Sequence, residues 1–170
     1  FLFCLILISQ NLISQEIFQW RGENRDGIYN ETDLLKEWPA DGPELLWSTR
    51  ELGKGYSSAT VTDDAIFISG MKDSSDYLTK LSLEGEQIWQ IKYGGSWYKS
   101  FPDTRGTPTY ENGKIYLISG NGTLAKIDSE KGSIDWSFNA FEKYKGAYGE
   151  WGICESLLLV DDKVIYTPGG

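Results

Sequence analysis

The chain has 170 residues, a net charge of −9 and no histidine. The charge argues against nucleic acid, whose phosphates need a basic footprint. The missing histidine takes away the commonest general base and metal ligand. Aromatic residues make up 14% of the chain, with Trp 7, which suits a β fold packed by large side chains. With only Cys4 and Cys154, no metal-binding cysteine spacing exists, and no disulfide can form once a leader containing Cys4 is removed.

Residues 1–8, FLFCLILI, are continuously apolar. The run has the size of a signal-peptide core and is too short to span a bilayer. Residues 1–15 are therefore expected to be a signal-peptide remnant, leaving a mature chain without a transmembrane span. A truncated membrane anchor is the alternative. The chain begins without Met and stops soon after a strand-like run, so it is expected to be a piece of a longer protein.

Residues 16–44 lack two-residue alternation and are punctuated by Gly22, Gly27, Pro39, Gly42 and Pro43. They are expected to form an irregular lead-in strapped across the later strands. Arg21, Arg25 and Asp26 there suit a salt-bridged surface loop or, alternatively, an anion site. The next run, 45–49, carries Trp47 and reads as a lone outer strand, which in a closed ring of sheets completes the last one.

From here the chain repeats. Ser58, Thr107 and Ser156 align at a spacing of 49 residues. In that register Asp63-Asp64, Asn112-Gly113 and Asp161-Asp162 coincide as turns. Ile66-Phe67-Ile68, Ile115-Tyr116-Leu117 and Val164-Ile165-Tyr166 coincide as strands. With a two-residue gap, Trp89 falls on Trp136. The clearest unit, 105–138, reads as four strands, a to d, at about 107–111, 114–119, 123–127 and 134–138. Asn112-Gly113 and Asn121-Gly122 provide the positive φ angles of tight hairpins. A preceding unit is expected over 57–91 and a half unit over 156–170. Repeats of this length made of four short strands select a β-propeller, each unit being one four-stranded antiparallel blade. The fold class is thus all-β, an incomplete propeller over 45–170. In the 57–91 unit, Met71–Asp76 is expected to be a long polar loop. Its two Asp residues suit a solvated turn, or a Ca²⁺ loop without EF-hand spacing. The sequons at Asn30 and Asn121 suit turn chemistry or glycosylation.

The run from Lys126 to Trp136 resembles the tryptophan-docking repeat A-x-D-x-x-T-G-x-x-x-W of quinoprotein-like propellers. Asp128, Gly132 and Trp136 match, while Lys126 and Lys131 replace the usual Ala and Thr. The stretch ending at Trp89 is a looser match, with Ser82 in the Asp place. Over about 45–170 the chain is similar to the pyrroloquinoline-quinone (PQQ)-like β-propeller repeat proteins. That group includes quinoprotein dehydrogenases and non-enzymatic outer-membrane assembly factors. Trp20–Gly27 also resembles the opening segment of secreted members. The resemblance implies structural docking roles for Trp47, Trp89, Asp128, Gly132 and Trp136, and an extracytoplasmic location: periplasmic, secreted or outer-membrane associated.

In a propeller, strand a lies innermost and the d–a connections gather at one mouth of the central channel. The residues just before each strand a are Tyr56-Ser57, Arg105-Gly106 and Cys154-Glu155. Both d–a connections, 93–103 and 139–152, are long and rich in Gly and aromatics, a composition shared by binding loops and by packing between blades. Tyr56, Trp97, Tyr148, Trp151 and Glu155 are the mouth-binding candidates. Arg105-Gly106 resembles the Arg-Gly neighbourhood of quinoprotein dehydrogenases, where the Arg contacts the quinone. The resemblance makes Arg105 a candidate cofactor contact; pairing with Asp103 or Glu155 is the alternative. Those dehydrogenases also carry a vicinal Cys pair just upstream, and Lys99-Ser100 stands there instead. The preferred function is a scaffold that binds a protein, glycan or small-molecule ligand at the mouth. The alternative is a PQQ- and calcium-dependent oxidoreductase acting on an alcohol. Among these residues no metal ligand and no catalytic residue is assigned.

Overall fold

The structure is a computed structural model and describes residues 17–169. The leader expected over 1–15 lies outside the described residues. In chain order the elements are β1 Ile17–Phe18, β2 Thr60–Val61, β3 Ile66–Lys72, β4 Ser75–Leu81, β5 Gln87–Gly95, β6 Thr109–Glu111, β7 Lys114–Ile118, β8 Thr123–Asp128, β9 Ile134–Asn139, α1 Ala140–Tyr144, β10 Leu158–Val160 and β11 Lys163–Ile165. They form three antiparallel sheets: β2-β3-β4-β5, β1-β6-β7-β8-β9 and the pair β10-β11. No helix among the described residues is long and apolar enough to cross a membrane.

Turn chemistry sets each hairpin. Asn112 and Gly113 join β6 to β7 with φ angles of 47° and 76°, as an Asn-Gly hairpin requires. Asp73 and Ser74 do the same between β3 and β4 at 46° and 61°. The ladder there runs out to Lys72 opposite Ser75. Met71–Asp76 is therefore a two-residue hairpin tip and not the long polar loop its composition suggested. Asp76 belongs to β4 and is fully buried.

The blades stack through two apolar layers. Phe67, Leu78, Tyr93, Ile115, Leu117 and Ile127 close the layer between the first and second blades. Ile118, Leu124, Phe141 and Leu157 close the one between the second blade and the β10-β11 pair. Each such side chain contributes about 1.5–3 kcal/mol when fully buried. Tryptophans fasten the outer edges. The Trp89 ring lies on Gly132, where an added Cβ would come within 2.9 Å of it, and its Nε1 donates to the Ser129 carbonyl at 3.3 Å. Trp47 covers Gly85 in the same manner and leaves no room for a Cβ. Trp136 packs with Phe138 at 5.7 Å and Tyr116 at 6.4 Å.

Two features depart from the sequence pattern. The lead-in is not wholly irregular: Ile17 and Phe18 pair with Glu111 and Tyr110, adding a strand inside the innermost strand of the second blade. In contrast, 45–49 forms no strand. A strand needs a ladder partner, and the described residues pair none with this run; Trp47 alone is anchored, while Leu45 and Leu46 stay exposed.

Candidate functional site at the channel mouth

The repeat spacing becomes a hydrogen-bond ladder where the blades meet. Ser58 donates its backbone N–H to Thr107 Oγ1 at 3.1 Å, and Thr107 donates its own to Ser156 Oγ at 3.0 Å. One rung deeper, the hydroxyls of Thr60 and Thr109 donate to the carbonyls of Pro108 and Leu157 at 2.5 and 2.8 Å. These bonds fix the starts of three successive inner strands side by side. Beside them opens a hollow of about 430 Å³ lined by Trp20, Arg25, Tyr56, Arg105, Cys154 and Glu155, with Ser58, Thr107 and Ser156 as its floor.

Arg25 reaches this hollow from the lead-in. Its guanidinium donates to the carbonyls of Ser156 at 2.8 Å and Leu157 at 3.2 Å, so it ties the lead-in to the residues just before β10 instead of forming the surface salt bridge considered from its neighbours. Arg105 Nη2 donates to the Trp151 carbonyl, and its buried Nε has no hydrogen-bond partner. Neither Asp103 nor Glu155 forms an ion pair with it among the described residues. Glu155 instead accepts from the Thr167 N–H at 2.8 Å and hydroxyl at 3.1 Å.

The aromatic candidates divide. Tyr56 is 76% exposed and Trp151 53% exposed, the latter with its ring 4.9 Å from that of Phe101. Trp97 and Tyr148 are packing residues. Trp97 lies against Gly120 and Gly152, donates to Ser100 Oγ at 3.0 Å and stacks on Tyr148 at 5.8 Å. Tyr148 in turn stacks on Phe141 at 4.4 Å and donates to the Asn121 carbonyl at 2.8 Å. Of the named residues, the structure therefore brings Tyr56, Arg105 and Glu155 to the hollow, sets Trp151 beside Arg105, and withdraws Trp97 and Tyr148.

Asp76 is the residue that sequence reasoning missed. It stands behind Arg105, and its carboxylate accepts from the Ser96 and Thr104 hydroxyls and from the Gly120 N–H at 2.8 Å. Burial pushes its pKa above the usual carboxylate range, against the opposing pull of those hydrogen bonds and of the Arg105 charge. Ser75–Leu81 is buried at every position but Tyr77, so no two-residue alternation marks Asp76, and its place in β4 becomes legible only once the hairpin tip at Asp73-Ser74 is recognised.

Four-stranded antiparallel sheets stacked face to face, with innermost strands converging on a polar hollow, define a β-propeller. Residues 31–147 match the PQQ-repeat family model described as outer membrane protein assembly factor BamB, and the chain belongs to this PQQ-like repeat family. Among solved structures it is similar to a europium-containing methanol dehydrogenase, at 18% identity and a TM-score of 0.57, covering 71% of this chain and 22% of that one. It is also similar to the quinohemoprotein alcohol dehydrogenase ADHIIG from Pseudomonas putida HK5, at 19% identity and a TM-score of 0.51, covering 68% and 17%. The chain thus spans less than a quarter of either neighbour's length, and the likeness shows the fold. No curated relative matches the chain.

Proposed function

We propose that the chain is part of an extracytoplasmic propeller that binds a partner at its channel mouth and does no chemistry there. The carrying observation is how the mouth's polar groups are engaged. Both guanidiniums bond to backbone carbonyls, and the Glu155 carboxylate is capped by Thr167. The free surface is aromatic, with Trp20, Tyr56 and Trp151 all exposed. Rigid exposed aromatics supply contact area at low entropic cost, which suits a protein or glycan ligand. Membership of a family described by an outer-membrane assembly factor supports a protein partner, and the apolar run 1–8 supports export.

The alternative is a PQQ- and calcium-dependent alcohol oxidoreductase, a reading supported by the names of the structural neighbours and by the partnerless Arg105 Nε. A calcium ion takes six to eight oxygen ligands. The described residues give the hollow one carboxylate, that of Glu155, and it is already capped. The described residues by themselves supply too few oxygen ligands for a calcium–quinone centre, so no step is derived through one.

Two measurements on the full-length protein separate the readings. A photo-crosslinker at Tyr56 should capture a discrete envelope protein, and Trp151→Ala should diminish that capture. Titration with PQQ and Ca²⁺ should show no binding at tens of micromolar. Tight quinone binding that Arg105→Ala weakens by about 1.5–3 kcal/mol, the worth of a charge-assisted hydrogen bond, would overturn the scaffold reading in favour of the enzyme.

A further inference from the structure

Asp76 joins three parts of the molecule that are far apart in sequence. It sits near the start of β4, in the first blade. Its Oδ1 accepts from Ser96 and Thr104, the two ends of the connection that leads to the mouth. Its Oδ2 accepts from Gly120, in the turn between β7 and β8 of the second blade. Thr104 is also the point where this connection meets the segment that leads into β2. Its carbonyl takes the Tyr56 N–H at 2.8 Å, and it forms a parallel bridge with Gly55. Arg105 follows directly.

We propose that Asp76 is the positioning residue of the channel mouth: through Thr104 and Ser96 it sets where Tyr56 and Arg105 stand, and through Gly120 it locks that arrangement to the second blade. A residue that only filled space here would be better apolar, since a buried charge carries a desolvation cost that a hydrophobic replacement avoids. What an apolar residue lacks is three acceptor directions at one point. Two of the donors are side-chain hydroxyls, which can rotate. The third, the Gly120 N–H, is fixed in the backbone, and Gly120 has no room for a Cβ beneath Trp97. The two oxygens therefore serve different ends. Loss of one acceptor oxygen on the Oδ1 side frees the mouth connection, and loss on the Oδ2 side frees the blade contact.

The groups facing Asp76 are few. Tyr93 of β5 is buried and its ionisation is pushed well above the usual range, first by burial and then by Asp76, so it stays neutral. Ser69 of β3 donates to the Gly106 carbonyl at 2.8 Å. Arg105 supplies the facing positive charge. Opening the connection returns Asp76 to water and to the ordinary carboxylate range. The closed form holds its proton at higher pH than the open form, so closure is most favoured on the acid side. It weakens as pH rises through the closed-state pKa.

Hydrogen exchange of the full-length protein, followed by mass spectrometry and corrected for intrinsic rates, tests this. In the wild type, protection over 96–105 should fall as pH rises through the Asp76 ionisation, while 66–72 and 123–128 remain unchanged. Asp76→Asn keeps the acceptor for both hydroxyls but turns an amide donor on Gly120. It should abolish the pH step and speed exchange at 119–122 about tenfold. The pair Ser96→Ala and Thr104→Val keeps the carboxylate; it should speed exchange over 96–105 about tenfold and leave 119–122 protected. A wild-type profile that is flat, or that Asp76→Asn reproduces, overturns the proposal. So does loss of protection across whole blades in the Ser96 and Thr104 pair.

Discussion

In the first blade, the corner where β4 begins is filled by a buried carboxylate. In the second, the register that aligns Thr79 with Ala125 puts Gly122 at the place of Asp76. Over Gly122 lies the ring of Phe141, from the helix α1 that follows β9. The two corners have the same task, to hold the start of a long d–a connection, and they use opposite chemistry. The polar corner works through three directional bonds to one side chain. The apolar corner works through a stack, Phe141 on Tyr148 and Tyr148 on Trp97. Because Trp97 belongs to the first connection, the stack also supports the connection that Asp76 holds. A corner built on contact area tolerates small shifts, whereas one built on a single carboxylate does not.

The apolar corner offers the largest effect. Phe141→Ala removes the ring between Gly122 and Tyr148 and is expected to cost about 3–5 kcal/mol, as for a core aromatic, read from chemical denaturation of the full-length protein. A loss under about 1 kcal/mol would show that the second connection is held by something other than the stack.

The outer corners give a smaller effect. Gly132→Ala would place a Cβ 2.9 Å from the Trp89 ring at a φ of +66°. It should lower stability by about 1–3 kcal/mol, as overpacking does. Gly149→Ala, with nothing within 4 Å, serves as its control. Equal effects from the two would mean that the tryptophan does not rest on its glycine.

The outer turns of the two blades also differ in charge. Ser82 Oγ accepts from the N–H groups of Glu84 and Glu86 at 3.2 and 3.3 Å. Asp128 occupies the same place in the second blade and accepts from Glu130 and Lys131 at 3.1 and 2.9 Å and from Lys114 Nζ at 2.9 Å. The Lys131 N–H first, then Lys114, lower the Asp128 pKa to about 2. A lowered carboxylate pKa gives stability that is complete above the unfolded-state value and lost as pH falls through the folded one. Melting curves taken from pH 5 downward, the range in which such carboxylates titrate, should show a shallower acid decline in Asp128→Asn than in the wild type. Identical acid limbs would leave the two turns equivalent.

What the sequence made legible was local or periodic. Asn112-Gly113 announced its hairpin because only a few residue types accept two left-handed positions. The tip at Asp73-Ser74 has the same backbone without a glycine and gave no such notice, and Asp76 was lost with it. Its burial depends on Ser96, Thr104 and Gly120, partners that no spacing rule connects. Arg105 was placed at the mouth by the repeat, yet its acceptor is the Trp151 carbonyl, and a backbone acceptor leaves no mark in residue type. The aromatic, glycine-rich connections looked alike from composition. The glycines beneath Trp97 and Phe141 show that there the aromatics serve packing, while Tyr56 and Trp151 keep their faces to solvent. β1 was invisible because two residues carry no period.

That short strand sets an order of events. Ile17 and Phe18 leave the ribosome before either of the two full blades exists, yet their partners Glu111 and Tyr110 come only after the whole first blade has been made. Phe18 gains its ring contact with Tyr110, at 5.6 Å, only once Tyr110 has been made. Distant pairings of this kind bear their loop-closure cost before they gain contacts, and they form slowly. The first of the described strands to be synthesised is thus among the last to be seated. Until the second blade is made, the described residues offer Ile17 and Phe18 no ladder partner.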